Sequence, residues 1–442
     1  MSATDPRHII DQSKMTAAQI AVVVITVFLN AMDGFDVLSI AFASPLVAKE
    51  WNISPLELGN LLGMELYGMA IGSIVLGGVA DKIGRRPTLL GCLLVMTLGM
   101  LGATTATGAL QLSIWRVLTG LGIGGVLSAT NATVAEFSNA KHRAICIAIM
   151  VIGYPLGGGF GGLFASSLIA TNGWHAVFYL GAAATGILIP TVYFLVPESV
   201  HWMTRQRPAN ALERINHSLR KLGHPTVFAM PPADTQPRKA SLAEIFSPGL
   251  IGTTLLVAGA YFLHILTFYF LLKWTPKLVT DLGFAPSQGG WVLTMANFGG
   301  AAGGAIFGIL TARIGLKPLT IGILLFNTIS VAVFGHFATD FNLLTTASIV
   351  VGFFGNAAIS GLYSIAAYAF PTHVRATGTG FVIGFGRFGS IASPAMVGYL
   401  FQNNTSLSTV CVLMCIGSLL AALVLMFLQL NTNAERPVPA GH

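Results

Sequence analysis

Long apolar stretches recur about twelve times along this chain, and each could cross the roughly 30 Å of hydrocarbon in a bilayer. Of its 442 residues, 54% are hydrophobic and only 9% are charged, whereas a soluble domain carries about 25% charged residues. A soluble globule of this size cannot bury so much apolar surface. The sequence therefore predicts an all-α integral membrane protein with twelve transmembrane helices.

The predicted spans fall into two groups of six. Those in the first half are 20–45, 58–79, 87–107, 110–133, 144–170 and 176–196. Those in the second half are 249–272, 287–312, 318–338, 342–370, 374–401 and 407–430. The predicted domains are therefore an N-terminal tail (1–18), a six-helix bundle (19–196), a central loop (197–247), a second six-helix bundle (248–430) and a C-terminal tail (431–442).

Lys and Arg residues are distributed unevenly between the two sides of the predicted membrane. Eighteen of the 23 fall on the side of the tails and central loop and two lie inside spans, and the three on the outer side are Lys49, Lys273 and Lys277. Positive residues concentrate on the cytoplasmic side of membrane proteins. We therefore expect both termini and the central loop to be cytoplasmic, in a protein of the inner membrane. The cations form no stripe or patch, so the net charge of +7 does not predict a nucleic-acid partner.

The two halves are also related in sequence. Seven residues match seven others 231 positions later: Gly68, Gly72, Gly77, Lys82, Gly84, Arg86 and Pro87 correspond to Gly299, Gly303, Gly308, Arg313, Gly315, Lys317 and Pro318. Parallel repeats of this kind, joined by a long inner loop, are typical of secondary transporters with a substrate site between the repeats. A channel or receptor has no evident need for the duplication.

Residues 77–86, between spans two and three, read Gly-Gly-Val-Ala-Asp-Lys-Ile-Gly-Arg-Arg. This run resembles the G-x-x-x-D-[RK]-x-G-R-[RK] signature of the major facilitator superfamily at every fixed position. A carboxylate at a helix end can bind the positive N-terminus of another helix. We therefore expect Asp81 to latch one conformation against the start of span eleven near Thr372, with Arg85 and Arg86 in the same gate. The alternative is a solvated turn whose cations only set the topology.

Two acids lie inside span one. Asp33 and Asp36 share one side of a helix with Asn30, because each step of three residues rotates by about 300°. A carboxylate at the membrane centre costs about 2.5–3.5 kcal/mol. We therefore expect both acids to line a water-filled cavity or to contact hydrogen-bonding or charged partners. We assign them to proton coupling and substrate binding. Permanently neutral, passive acids are the alternative.

Two arginines also lie inside predicted spans. Arg116 and Arg387 each share a helix face with glycines, and such small-residue faces pack toward the interior of a bundle. A guanidinium stays protonated and offers a planar fork to a carboxylate. Either arginine could therefore bind an anionic substrate. The alternative is a permanent ion pair with an Asp or Glu.

Glu65 lies in the middle of span two on the same stripe as Gly68 and Gly72, so we expect it to face inward. We predict that it is an additional protonatable group or a contact for a substrate hydroxyl. An equally good interpretation is a carboxylate that neutralises Arg116 or Arg387.

Several motifs resemble the aromatic acid:proton symporter family of the superfamily. They are Asp-Gly-x-Asp at 33–36, Pro197-Glu198-Ser199, Tyr269 followed by Trp274-Thr275-Pro276, Pro371 followed by Arg375-Ala376-Thr377-Gly378, and Gly386-Arg387-Phe388-Gly389. The resemblance implies uptake of benzoate-type and hydroxybenzoate-type anions with protons. It maps the key positions of the family onto Asp33, Asp36, Arg116, Glu136, Arg375 and Arg387, of which we assign Glu136 and Arg375 to the gate. The family usually has a small residue in place of Glu65.

The remaining candidates are weaker. Tyr269 could stack on an aryl ring, although packing or interfacial anchoring explains the aromatic residues of span seven better. His264 fits a satisfied core histidine better than a proton relay. The four cysteines lie in apolar runs whose spacing matches neither a zinc site nor a disulfide framework. We therefore expect no metal and no cofactor.

The intramembrane charges suggest a mechanism. Asp33, Asp36 and Glu65 outnumber Arg116 and Arg387 by one, and a bound carboxylate would raise the excess to two negative charges. Such a charge is costly in a membrane, so at least one acid should take a proton when substrate binds. We expect a monomeric, proton-coupled importer of a small aromatic carboxylate that works by alternating access.

The sequence is also compatible with other functions. The chain could instead carry another organic anion or act as a drug/proton antiporter, and a sensor or scaffold would bind a ligand without flux. An enzyme is not expected, because no nucleophile–base or metal-ligand constellation is evident in the sequence.

Overall fold

The computed structural model describes residues 5–232, 242–336, 340–371 and 373–429, and over these residues the only regular elements are α-helices. The helices are α1 (Pro6–Gln12), α2 (Ala17–Glu50), α3 (Pro55–Ile83), α4 (Arg85–Ala103), α5 (Ala109–Phe137), α6 (Arg143–Asn172), α7 (His175–Leu195), α8 (Val200–Gln206), α9 (Ala211–Lys221), α10 (Leu242–Ile245), α11 (Ile251–Asp281), α12 (Pro286–Ile314), α13 (Leu316–Phe334), α14 (Phe341–Ala369), α15 (Arg375–Gln402) and α16 (Leu407–Met426).

Twelve of the described helices, α2–α7 and α11–α16, are long and apolar enough to cross a membrane. The predicted fold class is therefore confirmed. Several helices continue past the predicted spans: α2 runs through Pro45 to Glu50, and α11 runs to Asp281. Lys273, which the sequence analysis places on the outer side, is consequently buried inside α11. Hydropathy marks the part of a helix that fits the hydrocarbon, whereas the hydrogen-bonded helix continues beyond it.

Short helices occupy the segments that the sequence analysis treats as tail and loop. Helix α9 in the central loop is amphipathic, with Ile215 and Leu219 buried on one face. Helices α1 and α8 are not predicted, but each begins at a side-chain cap, in which Asp5 or Ser199 accepts a backbone N–H of the first turn. The predicted C-terminal tail and the loop cations Arg238 and Lys239 lie outside the described residues.

The chain divides into two compact units. The first contains Met1–Ser39, Met64–Gly161 and His175–Pro237, and the second contains Ile40–Gly63, Gly162–Trp174 and Arg238–His442. In the first unit α4 packs against α5 and α7. In the second, α12 packs against α14, and α11 packs against α15 and α16.

Glycines bring α3 and α5 into close contact in the first unit. A Cβ on Gly120 of α5 would overlap the backbone carbonyl of Glu65, and one on Gly68 of α3 would overlap that of Val117. Small residues of this kind let membrane helices approach backbone to backbone. The contact places Glu65 against the helix that carries Arg116.

We expect Gly120→Ala to destabilise the protein by about 1–3 kcal/mol, because the added methyl group overpacks a backbone contact. Gly91→Ala on α4 is the matched control, since a Cβ there meets no heavy atom within 4 Å and alanine favours a helix. Thermal unfolding in detergent measures the difference. Equal melting temperatures for the two variants would show that the α3 and α5 backbones leave room for a methyl group at position 120.

Candidate functional site

Glu65 on α3 and Arg116 on α5 form an ion pair whose two side chains are both fully buried. The Nη2 group of Arg116 also donates to the backbone carbonyl of Asp36 at 2.7 Å, and its Nη1 lies 3.4 Å from the sulfur of Met100. The guanidinium carbon lies 5.5 Å from the ring centroid of Phe178. Arg116 is therefore held by groups from α2, α3, α4 and α7.

Asp36 lies beside this ion pair but is bonded to Arg116 only through its backbone. The Asp36 side chain is fully buried, and neither carboxylate oxygen has a hydrogen-bond partner among the described residues. Asp33, one helical turn earlier, is 1% exposed. A buried carboxylate without hydrogen bonds is costly in its charged form, and a neighbouring acid adds repulsion.

The structure thus brings together the four N-terminal residues that the sequence predicts to face inward: Asp33, Asp36, Glu65 and Arg116. They all belong to the first unit. Of the two interpretations of Glu65, the ion pair with Arg116 is present in this structure. Since Glu65 is the acid paired with Arg116, a proton on the Asp33 or Asp36 side chain leaves that ion pair intact.

A second cluster lies where α3 ends and α4 begins. The Nη1 of Arg85 donates to the Asp81 carboxylate at 2.8 Å, and its Nη2 donates to Glu136 at 2.9 Å. Arg205 of α8 reaches Asp81 at 3.2 Å, and the indole N–H of Trp202 donates to the Asp81 carbonyl at 2.9 Å. The predicted gate residues Asp81, Arg85 and Glu136 therefore form one hydrogen-bonded network with α8.

Glu198 completes this network from the segment before α8. One of its carboxylate oxygens accepts the backbone N–H of Arg85 at 2.9 Å and that of Ser199 at 2.8 Å. Burial raises the pKa of the Glu198 carboxyl, and these backbone hydrogen bonds only partly oppose the rise. The contacts fix the position of α8 against the α3–α4 turn.

Arg205 and Trp202 are contacts that the sequence analysis missed, because it did not predict α8. The signal that could have found the helix is Ser199, a typical N-cap residue, followed by the run from Val200. Arg86, the other predicted gate residue, instead donates to the carbonyl of Tyr193 at 2.6 Å. Thr372, the predicted partner segment of Asp81, lies outside the described residues.

The C-terminal candidates belong to the second unit. Arg375 is exposed at the first residue of α15, and Arg387 is half-buried further along the same helix. Tyr269 on α11 is half-buried and packs edge-on against Phe268, with 5.7 Å between the ring centroids.

His264 is fully buried on α11. Its Nδ1 lies 2.9 Å from the hydroxyl of Ser418, and its Nε2 lies 3.1 Å from the carbonyl of Gly355. Both ring nitrogens have partners, which agrees with a core histidine. The Nδ2 of Asn327 donates to the same hydroxyl at 2.9 Å, so one buried network links α11, α13, α14 and α16.

A cavity that the sequence does not predict lies within the second unit. The polar residues that line it are all uncharged: Thr267, Thr275, Asn297, Asn327, Ser348 and Asn356. The Oδ1 of Asn327 is buried there without a hydrogen-bond partner in the described part of the chain. Placing an amide or hydroxyl in the bilayer costs less free energy than placing a charge there. Such residues inside a span therefore indicate a functional site only weakly.

The family model of the Major Facilitator Superfamily matches residues 23–273 and 257–442. The gallate transporter of Pseudomonas putida is 28% identical over 428 residues, which cover 96% of this chain and 94% of that protein. The 4-hydroxybenzoate transporter PcaK of Acinetobacter baylyi is 27% identical, over 98% of this chain and 96% of that protein. The crystal structure of the D-xylose-proton symporter superposes with a TM-score of 0.72 at 16% identity, over 95% of this chain and 99% of that one.

Twelve apolar helices among the described residues and a family match over most of the chain define a multi-pass membrane carrier, a class that is not enzymatic. The chain belongs to the Major Facilitator Superfamily. The relatives above carry the names of aromatic acid transporters, which confirms the resemblance seen in the sequence motifs. The likeness to the symporter structure concerns the fold.

Proposed function

We propose that this chain imports a small aromatic carboxylate of the benzoate or hydroxybenzoate type together with protons, by alternating access. The observation that carries the proposal is the buried Asp36 carboxylate, which has no hydrogen-bond partner among the described residues and lies beside a guanidinium already paired with Glu65. The names of the relatives support an aromatic acid as the substrate.

The charges of the cluster explain why protons accompany the substrate. Asp36 in this environment is far cheaper to keep neutral than charged, so it holds a proton here. An inside-negative potential opposes anion entry by about 2.3 kcal/mol per charge per 100 mV. One proton per monoanion cancels this electrical cost, and a second proton makes the potential drive uptake.

We assign the roles as follows. Asp33 and Asp36 bind the transported protons, and Arg387 binds the substrate carboxylate while Tyr269 contacts its ring. Protonation of Glu65 releases Arg116, which then becomes a second cation for the carboxylate. The gate consists of Asp81, Arg85, Arg86, Glu136 and Arg375. The protein acts as a monomer in the inner membrane with both termini in the cytoplasm.

Uptake of labelled 4-hydroxybenzoate into proteoliposomes tests the function. We expect uptake into vesicles of pH 8 placed at an external pH of about 6, and loss of accumulation when an ionophore removes the proton gradient. Proton-independent accumulation would refute the coupling. Benzoates with different ring substituents, tested as competitors, identify the preferred acid.

Two other outcomes would reassign the protein. Cells that exclude the labelled acid, rather than accumulate it, would indicate efflux by a proton antiporter. Saturable binding of the acid without any flux in sealed vesicles would indicate a sensor.

A further inference from the structure

A basic cavity lies next to the end of α7 in the first unit. Helix α9 forms much of its wall. The cationic side chains in its lining are Arg86, Arg214, Arg220 and Lys221, with His217 beside them. The transport mechanism proposed above does not use α9.

The acids in the lining of this cavity do not balance its positive charge. Its lining contains two acids, Glu198 and Glu213. Within the described residues, none of the four cations forms an ion pair with a carboxylate. Burial and the nearby charge of Arg86 lower the pKa of Lys221, as expected where two cations meet without an anion between them.

Two of the cations also cap α7. Arg86 donates to the carbonyl of Tyr193 and Lys221 donates to that of Phe194, both in the last turn of the helix. Such contacts favour a cation at a helix C-terminus. They use one N–H group of each side chain, whereas an ammonium has three and a guanidinium five. The Nε of Arg86 is buried without a partner in the described part of the chain, so donors remain for a ligand.

The cavity also lies beside a surface suited to lipid chains. Helix α7 is a candidate membrane span, and its last residues Tyr193, Phe194 and Leu195 are 53%, 66% and 53% exposed. The guanidinium of Arg86 lies over the Tyr193 ring, 4.9 Å from its centroid. An exposed apolar helix end and a basic cavity are therefore adjacent, a combination that suits the boundary between lipid headgroups and hydrocarbon.

We propose that this cavity binds the phosphate headgroup of an anionic phospholipid of the inner leaflet, whose chains lie along the end of α7. Basic pockets on the cytoplasmic side of membrane helices bind such headgroups. A soluble phosphate ester would offer the same anion, but it would leave the apolar surface of Tyr193, Phe194 and Leu195 without a partner.

The test is a binding titration of the purified full-length protein with dioctanoyl phosphatidylglycerol, followed by native mass spectrometry. Dioctanoyl phosphatidylcholine and inorganic phosphate are titrated in parallel. We expect phosphatidylglycerol to bind best, with an affinity that falls as salt rises. The double variant Arg214→Gln/Arg220→Gln should bind it at least about tenfold more weakly, since each cation near a headgroup contributes to the attraction.

Lys14→Gln/Lys141→Gln is the matched control, because it removes two exposed cations of the first unit that do not line the cavity. It should bind phosphatidylglycerol like the unchanged protein. Because Arg214 and Arg220 are exposed, gel filtration should show both variants folded. Equal affinity in the two double variants, or equal binding of the two lipids, overturns the proposal. Inorganic phosphate binding as tightly as the lipid would show that the site takes a soluble anion instead.

Discussion

Asp36→Asn is expected to abolish accumulation of 4-hydroxybenzoate against its gradient. With one proton per anion, a difference of two pH units can sustain about 100-fold accumulation, since each unit corresponds to about 1.36 kcal/mol. Asparagine has nearly the shape of a protonated aspartate but cannot release a proton. The variant should therefore equilibrate its substrate at a ratio of about one, and exchange of labelled for unlabelled substrate should continue.

The steady-state ratio of internal to external label in proteoliposomes measures this effect. Asp281→Asn is the matched control, because Asp281 is an exposed acid in a surface ion pair with Lys277, and such pairs contribute little. It should accumulate substrate normally. Continued accumulation by Asp36→Asn would mean that the transported proton binds elsewhere.

The second large effect is expected for Arg116→Gln. This change leaves Glu65 buried without its partner, and breaking a buried ion pair from one side costs about 3–5 kcal/mol. The double variant Glu65→Gln/Arg116→Gln removes both charges. It should recover most of the lost stability, because no uncompensated charge remains.

Thermal unfolding of the four proteins in one detergent, arranged as a double-mutant cycle, measures the coupling. Glu65→Gln alone should be much milder than Arg116→Gln, because the freed guanidinium can turn to Asp36, which can then release its proton and form the ion pair. If the double variant is as unstable as Arg116→Gln, the ion pair is not the source of the stability. Our assignment of Arg116 as a residue held by Glu65 would then be wrong.

Much of this architecture follows from the sequence because a membrane imposes strong rules. Spans must be apolar and helical, and acids such as Asp33 and Asp36 inside a span must face the protein. These rules predict the twelve helices and the inward direction of the intramembrane charges. They do not say which acid meets which arginine, because the Glu65–Arg116 pair depends on where two helices cross.

The parts that the sequence analysis missed are those on which the membrane imposes weaker rules. Helix α8 is short and lies outside the hydrocarbon, so its Arg205 contact with Asp81 leaves no hydropathy signal. The asparagine-lined cavity leaves no recognisable pattern in the sequence either, since Asn297 and Asn327 are uncharged residues on different helices. Lys273 is misplaced for a related reason: one cation ends a hydropathy window, although α11 continues past it.

The proposed mechanism requires protons to enter with the substrate, and substrate-induced proton movement tests this most directly. Unlabelled 4-hydroxybenzoate is added to weakly buffered proteoliposomes without a pH gradient, with a pH-sensitive dye outside. We expect the external medium to become alkaline at the rate of uptake, and this response to be absent in Asp36→Asn vesicles. Uptake of the acid with no change in external pH would contradict the account.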